Sequence, residues 1–128
     1  MGLIPVPMMG PEGAVRFLRV RFSELAHLFG VPENLDPETP EPYHSYERFA
    51  EGVLRRQDDR IFLESVYAFI NELAVSREYW LQEVLGVSLL ESLGRNAEFA
   101  TALYPHLNTK AQEVLRAMEQ QMCGRFRE

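Results

Sequence analysis

From residue 45 to residue 124, apolar residues recur at three- and four-residue intervals, which is the spacing of helices that bury one face. The strongest stretch predicts a helix that begins after a capping Asp58 or Asp59 and runs to about Ala74. Its apolar face contains Ile61, Phe62, Val66, Phe69, Ile70 and Leu73. A face this wide usually packs against helices on two sides, so we expect this helix to form the centre of the core.

Shorter helices are predicted around this central helix. The helix before it carries Phe49, Val53 and Leu54 on one stripe. After it, the end signals predict a helix stopped by Gly86, a brief helix with a Ser88–Glu91 capping box, a helix capped by Asn96, and a last helix with a Thr109–Gln112 capping box. Residues 45–124 are therefore expected to form the helical core.

The N-terminal region has a different pattern. Residues 1–13 contain three prolines and three glycines among apolar residues, which predicts an irregular apolar arm. In residues 15–22, apolar Leu18, Val20 and Phe22 alternate with arginines, which predicts a short β-strand. Because an isolated strand needs a pairing partner, we expect this strand to pair either with the N-terminal arm or with a second chain by edge addition, and the second alternative would form a homo-oligomer.

A loop is predicted at residues 32–44. Four prolines and four acidic residues lie between Pro32 and Pro42, and this density of proline excludes a helix or a central strand. The loop is either a solvated connection or an acidic docking segment for a basic partner.

The 128 residues suffice for one domain with one modest core. The expected fold class is mainly α, a single-domain helical bundle of about five to six helices with a short N-terminal β-strand or arm. No apolar run approaches the roughly 18 to 20 residues of a membrane span, and the N-terminus lacks the basic region of a signal peptide. The single cysteine, Cys123, excludes a disulfide framework, and a cytoplasmic location is expected.

Catalytic and metal-binding constellations are sparse. The three histidines lie in different segments, and no serine lies in a G-x-S-x-G motif, so no catalytic residue is predicted. Glu24 and His27 have the Glu-x-x-His spacing of di-iron bundles, and His44 lies near Glu47, but a di-iron site needs two such motifs and two further glutamates. No glycine-rich phosphate loop is present, and we expect no cofactor.

Two stretches share the pattern L-x-x-x-x-G-V, "LAHLFGVPENL" from Leu25 and "LQEVLGVSLLESL" from Leu81. Prolines interrupt the first after its Gly-Val, whereas "LGVS" in the second resembles the turn of Cro/repressor-type regulators and implies a helix-turn-helix with Arg95 near the DNA. The segment "WLQEVLGVSLLESL" also resembles the helix-Gly-Val-helix segment of tail assembly chaperones from long-tailed phages. That resemblance implies a small, mainly helical binding protein.

The leading hypothesis is a non-enzymatic protein–protein interaction module of the adaptor, inhibitor or assembly-chaperone type. Its predicted contact residues are basic on the strand and acidic in the loop: Arg16, Arg19, Arg21, Glu33, Asp36, Glu38 and Glu41. The alternatives are a helix-turn-helix regulator and a metal-binding helical protein. The net charge of -6 argues against a protein that binds nucleic acid by neutralising phosphates.

Overall fold

A computed structural model describes residues 9–28 and 41–126 of the chain. The α-helices are α1 (Pro11–Arg21), α2 (Glu41–Arg55), α3 (Arg60–Val75), α4 (Tyr79–Val84), α5 (Glu91–Gly94), α6 (Ala97–Leu103) and α7 (Thr109–Phe126). Short 3₁₀ turns, Ser23–Leu28 and Tyr104–His106, follow α1 and α6, and a π-helical segment, Leu85–Leu90, joins α4 to α5. The predicted mainly α bundle is confirmed. None of the helices in the two described ranges is both long enough and apolar enough to cross a membrane.

The predicted strand at residues 15–22 is wrong, because this segment forms most of α1 and its C-terminal end. Pro11 lies in the first turn, where the missing N–H of proline costs no hydrogen bond, so the predicted arm also ends earlier than expected. Leu18 and Phe22 are buried one helical turn apart. The alternating pattern was misleading because Val20, between them, points outward and is 72% exposed.

The loop prediction is wrong for residues 41–44, because α2 begins at Glu41. Pro42 lies in the first turn of α2, the part of a helix that tolerates proline. Residues 1–8 of the predicted arm and residues 29–40 lie outside the described part of the chain.

The aromatic ring of Phe69 in α3 lies at the centre of the core. Four rings surround it at centroid distances of 5.2 to 6.2 Å, contributed by Phe17, Phe22, Tyr46 and Phe49. The expected position of α3 at the centre of the bundle therefore agrees with its contacts to both α1 and α2. Its predicted apolar face is buried except for Ile61, which lies in the first turn and is 80% exposed.

Several helix ends use the predicted caps. The side-chain oxygens of Asp59 and Asn96 each accept the backbone N–H three residues later, at 3.0 Å in both cases. For α7 the cap is Asn108 and not the predicted Thr109. Asn108 also donates its backbone N–H to the side-chain oxygen of Asn71 at 2.8 Å, so the start of α7 is joined to α3.

The helix ends predicted at Gly86 and Ser88 are both wrong. The chain stays helical from Tyr79 to Gly94, because the π-helical segment Leu85–Leu90 accommodates one extra residue without ending the helix. The Ser88 hydroxyl caps no helix; it donates to the backbone carbonyl oxygen of Tyr43 in α2, at 2.6 Å. Gly86 is buried against α7, and the helix passes through it without a turn.

Replacing Gly86 with alanine should stabilise the protein. A Cβ at this position would lie 3.5 Å from Cγ1 of Val114, an ordinary van der Waals contact, and alanine in a helix is favoured over glycine by about 0.5 to 1 kcal/mol. Thermal unfolding followed by circular dichroism should show a melting temperature raised by about 2 to 6 °C. The control is Gly13→Ala, whose Cβ would lie 2.5 Å from Cγ of Met9 and must displace that side chain. A lowered melting temperature for Gly86→Ala would contradict the prediction.

The Tyr46→Phe variant should be less stable than the wild type by about 1 kcal/mol at neutral pH, because it loses a buried hydrogen bond. The Tyr46 hydroxyl donates to the backbone carbonyl oxygen of Ala14 at 2.9 Å, and the side chain is fully buried. Urea unfolding gives the difference. As a control, Tyr79→Phe removes a hydroxyl from a tyrosine that is 55% exposed and should change stability by less than about 0.5 kcal/mol.

The stability of Tyr46→Phe should depend less on alkaline pH than the stability of the wild type does. Burial raises the pKa of Tyr46 above its ordinary value of 10, so the unfolded chain releases this proton at a lower pH than the folded chain does. The wild type should therefore lose stability as the pH rises above about 10, and Tyr46→Phe should lose less over the same range. If the free energy of unfolding falls equally for the two proteins over this pH range, the raised pKa of Tyr46 is contradicted.

Candidate functional site

The first candidate surface is the outward side of α1, called here the α1 face. It is a shallow depression of about 330 Å³ lined by Met9, Gly13, Arg16, Phe17, Val20 and Arg21. The opposite side of α1 is buried in the core. Arg16 and Val20 are exposed on the outward side, whereas Phe17 and Arg21 lie at its edge, against Phe69 and Glu72 of α3. The backbone N–H of Met9 donates to a carboxylate oxygen of Glu78 at 2.9 Å, which fixes one end of the face against the start of α4.

The arginines of the α1 face have different environments. Arg21 forms an ion pair with Glu72 of α3, and its guanidinium carbon lies 5.7 Å from the ring centroid of Phe17. The hydrogen bond with Glu72 raises the pKa of Arg21. Arg16 is exposed and has no ion pair within the described residues, whereas Arg19, which lies on α1 but does not line this face, is half-buried. Arg16 is therefore the cation of the face that is available to an incoming carboxylate.

The second candidate surface lies between α2 and the π-helical segment with α5, and is called here the acidic groove. Two adjoining cavities of about 270 and 440 Å³ share Glu47, Ser92 and Arg95. The carboxylates that line them belong to Glu47, Glu51 and Glu91, and the apolar side chains to Val87 and Leu54. Val87 is 48% exposed, so the groove combines negative charge with an open apolar contact.

Hydrogen bonds hold the wall of the acidic groove in place. The 2.6 Å bond from Ser88 ties the π-helical segment to the first turn of α2 at Tyr43. The Tyr43 hydroxyl donates to a carboxylate oxygen of Glu83 at 3.2 Å, and its ring packs edge-on against Trp80. Partial burial, and then the nearby charge of Glu83, raise the pKa of Tyr43.

The geometry of a helix-turn-helix is not found at the second Gly-Val pair. Gly86 and Val87 lie inside a continuous helix, so no separate helix is presented to a DNA groove. Arg95 lines the acidic groove, where its guanidinium lies 3.3 Å from a carboxylate oxygen of Glu91. Carboxylates around this arginine would repel phosphates, which is unfavourable for the predicted contact with DNA.

The candidate metal ligands do not form a cluster in the described ranges. Glu24 is exposed in the 3₁₀ turn after α1, and the side chain of His27 lies outside the described part. His44 and Glu47 lie on neighbouring turns of α2, and no third His, Cys, Asp or Glu side chain among the described residues is placed to bind a metal with them. Within residues 9–28 and 41–126, no three His, Cys, Asp or Glu side chains are placed to hold a metal ion together.

A third cavity, of about 490 Å³, lies beside the start of α3 and includes His106. The imidazole ring stacks on Tyr67 with a centroid distance of 4.3 Å and nearly parallel planes. Such a base can activate a hydroxyl or thiol nucleophile only if a Ser, Thr or Cys lies within hydrogen-bond reach. None of the described residues that line this cavity is a Ser, Thr or Cys.

The structure separates the predicted contact residues into three groups. Arg16, Arg19 and Arg21 all lie on α1, and the first and last of them line the α1 face. Glu41 is the first residue of α2, with a side chain outside the described part. The remaining predicted acids, Glu33, Asp36 and Glu38, also lie outside it.

Sequence reasoning missed the acidic groove. One signal for it exists, because Tyr43, Glu47 and Glu51 recur every four residues and so form a polar stripe along α2. The other wall had no such signal. Glu91 reaches the groove only because the π-helical segment replaces the helix ends that glycine and serine suggested.

No protein-family model matches this chain, and neither a curated protein nor a solved structure matches it. The α1 face and the acidic groove are therefore the basis for assigning a function.

The Ser88→Ala variant should lower the free energy of unfolding by about 1 kcal/mol, because it removes the hydrogen bond that joins the groove wall to Tyr43. The matched control is Ser92→Ala, one turn later in the same groove, whose hydroxyl makes no hydrogen bond within the described residues. That control should change stability by less than about 0.5 kcal/mol. Urea unfolding of the two variants tests the difference, and equal effects would argue against the role of Ser88.

Proposed function

We propose that this chain is a non-enzymatic protein–protein interaction module that binds its partner on the α1 face. The observation that carries the proposal is the exposure of Val20, at 72%, on the same face as the cation Arg16. An exposed apolar side chain beside aromatic, methionine and arginine side chains has the composition typical of the central part of protein interfaces.

The chemistry of the α1 face favours one kind of partner surface. Phe17 and Val20 offer an apolar contact, and the guanidinium groups of Arg16 and Arg21 border it. A complementary surface would carry apolar side chains between carboxylates. An amphipathic helix with acidic flanks is one such surface, because its apolar residues recur at three- and four-residue spacing.

The proposed roles are those of an adaptor, an inhibitor or an assembly chaperone. The sequence resemblance of "WLQEVLGVSLLESL" to tail assembly chaperones implies the last of these, with a phage origin, although Gly86 and Val87 lie inside one continuous helix and not between two helices. The acidic residues from Glu33 to Glu41 are proposed to supply a separate contact with a basic surface. These assignments concern binding, and none of them requires a resident cofactor.

The Val20→Asp variant should weaken partner binding at least tenfold, because it places a carboxylate in the apolar contact and opposes an acidic partner. The partner would first be identified by affinity capture from the source organism and mass spectrometry, and its Kd then measured by calorimetry. Val75→Asp is the matched control, since Val75 is 65% exposed and does not line the α1 face. That control should bind like the wild type.

Two further measurements complete the test: the first separates a loss of binding from unfolding, and the second tests the charge of Arg16. Circular dichroism should show the same helix content for both aspartate variants, because both valines are exposed. Arg16→Glu should also weaken binding and make the remaining affinity less sensitive to salt. If Val20→Asp and Val75→Asp bind the captured partner equally well, the α1 face is not the binding site.

A further inference from the structure

The α1 face and the acidic groove have complementary properties on one chain. The face presents Arg16 beside the apolar Val20, whereas the groove presents carboxylates beside the exposed Val87. We propose that the α1 face of one copy docks in the acidic groove of a second copy. This inference rests on the proposed function, since it names the partner of the same α1 face.

Charge complementarity is the first argument for a second copy as the occupant. Glu47 and Glu51 are exposed and have no ion pair within the described residues. Glu91 pairs with Arg95 at 3.3 Å, and the side chain of Arg95 is 64% exposed. The groove wall thus already accepts one guanidinium beside a carboxylate, and two further carboxylates remain for the guanidinium of an incoming Arg16.

Shape is the second argument. The groove lies between two helical walls, α2 and the π-helical segment with α5, and a helix fits such a groove through residues one turn apart. On α1, Arg16 and Val20 are one turn apart, as are Phe17 and Arg21. Val20 can face Val87 and Leu54 of the second copy while Arg16 faces the glutamates.

The two surfaces share no residue. One copy can therefore use its α1 face and its acidic groove at the same time. If a two-fold axis relates two copies, each copy places its α1 face in the groove of the other. If no such axis relates them, the α1 face of each copy binds the groove of the next copy, head to tail. In both arrangements, each contact needs one intact α1 face and one intact groove.

Charge-reversal variants of the two surfaces test the inference with purified protein alone. Arg16→Glu and Glu47→Arg should each raise the dissociation constant of self-association at least tenfold, measured by sedimentation velocity over a concentration series. The matched controls are Arg77→Glu and Glu98→Arg, which make the same charge changes at exposed positions outside both surfaces. These controls should associate like the wild type.

Mixing the two disabled variants gives the sharper result. In an equimolar mixture, the intact α1 face of Glu47→Arg meets the intact groove of Arg16→Glu, so association should recover between unlike chains. Labelling one variant with a fluorophore identifies the mixed species. Recovery also shows that both variants are folded, because an unfolded chain could not supply its intact surface.

The outcomes distinguish this inference from the proposed function. A wild-type chain that stays monomeric to about 1 mM overturns the inference, and so does self-association that neither charge reversal weakens. In those cases a separate protein that loses affinity for Val20→Asp would still support the α1 face as a binding site. A different outcome is that the captured partner binds Val20→Asp as tightly as it binds the wild type, while the charge reversals weaken self-association. In that case the second copy is the partner of the α1 face, and the captured protein binds elsewhere.

Discussion

The packing of aromatic rings around Phe69 is the constraint on which the arrangement of α1 and α2 depends. Phe17 and Phe22 of the α1 region and Tyr46 and Phe49 of α2 all contact this one ring. Aromatic pairs of this kind add to the free energy of burial and favour particular ring angles, so they fix the rotation of a helix as well as its position. Because one side of α1 is fixed in this way, Arg16 and Val20 remain on the other side.

Charge is distributed unevenly over the chain, although the net value of -6 suggests a uniformly acidic protein. The α1 helix contains three arginines and one glutamate, and so carries a local positive charge. The groove beside α2 contains three glutamates and one arginine. Fields of opposite sign on two surfaces of a small protein orient approaching molecules before contact, including other copies of the same chain.

Much of the fold could be predicted from the sequence, for reasons visible at particular residues. The apolar face of α3 and the caps at Asp59 and Asn96 depend on local spacing and local hydrogen bonds, which the sequence records directly. The strand prediction failed because the positions of Leu18, Val20 and Phe22 are compatible with two structures. They fit the two-residue period of a strand, and they also fit a helix in which Leu18 and Phe22 are buried and Val20 is exposed. The tertiary contact of Phe22 with Phe69, which favours the helix, is not readable from neighbouring residues.

The candidate surfaces could be predicted only in part. The charge of the α1 arginines predicts that they are contact residues, although the structure places them on a helix and not on the predicted strand. The acidic groove depends on bringing α2 beside residues more than forty positions later, and the bond from Ser88 to Tyr43 that does this has no local signature. A serine after Gly-Val resembles a helix cap in the sequence. Its hydroxyl instead forms a hydrogen bond with α2, and that bond depends on tertiary packing.

The π-helical segment also keeps the buried leucines on one side of the continuous helix from Tyr79 to Gly94. Leu81, Leu85, Leu89 and Leu93 are all buried, at intervals of four residues. In a regular α-helix such a series drifts by about 40° at each step, which would place the last leucine about 120° away from the first. One extra residue in the turn returns about 100° of that rotation. A natural variant lacking one residue of Leu85–Leu90 would thus keep its helix but rotate everything beyond it, and Glu91 would leave the groove.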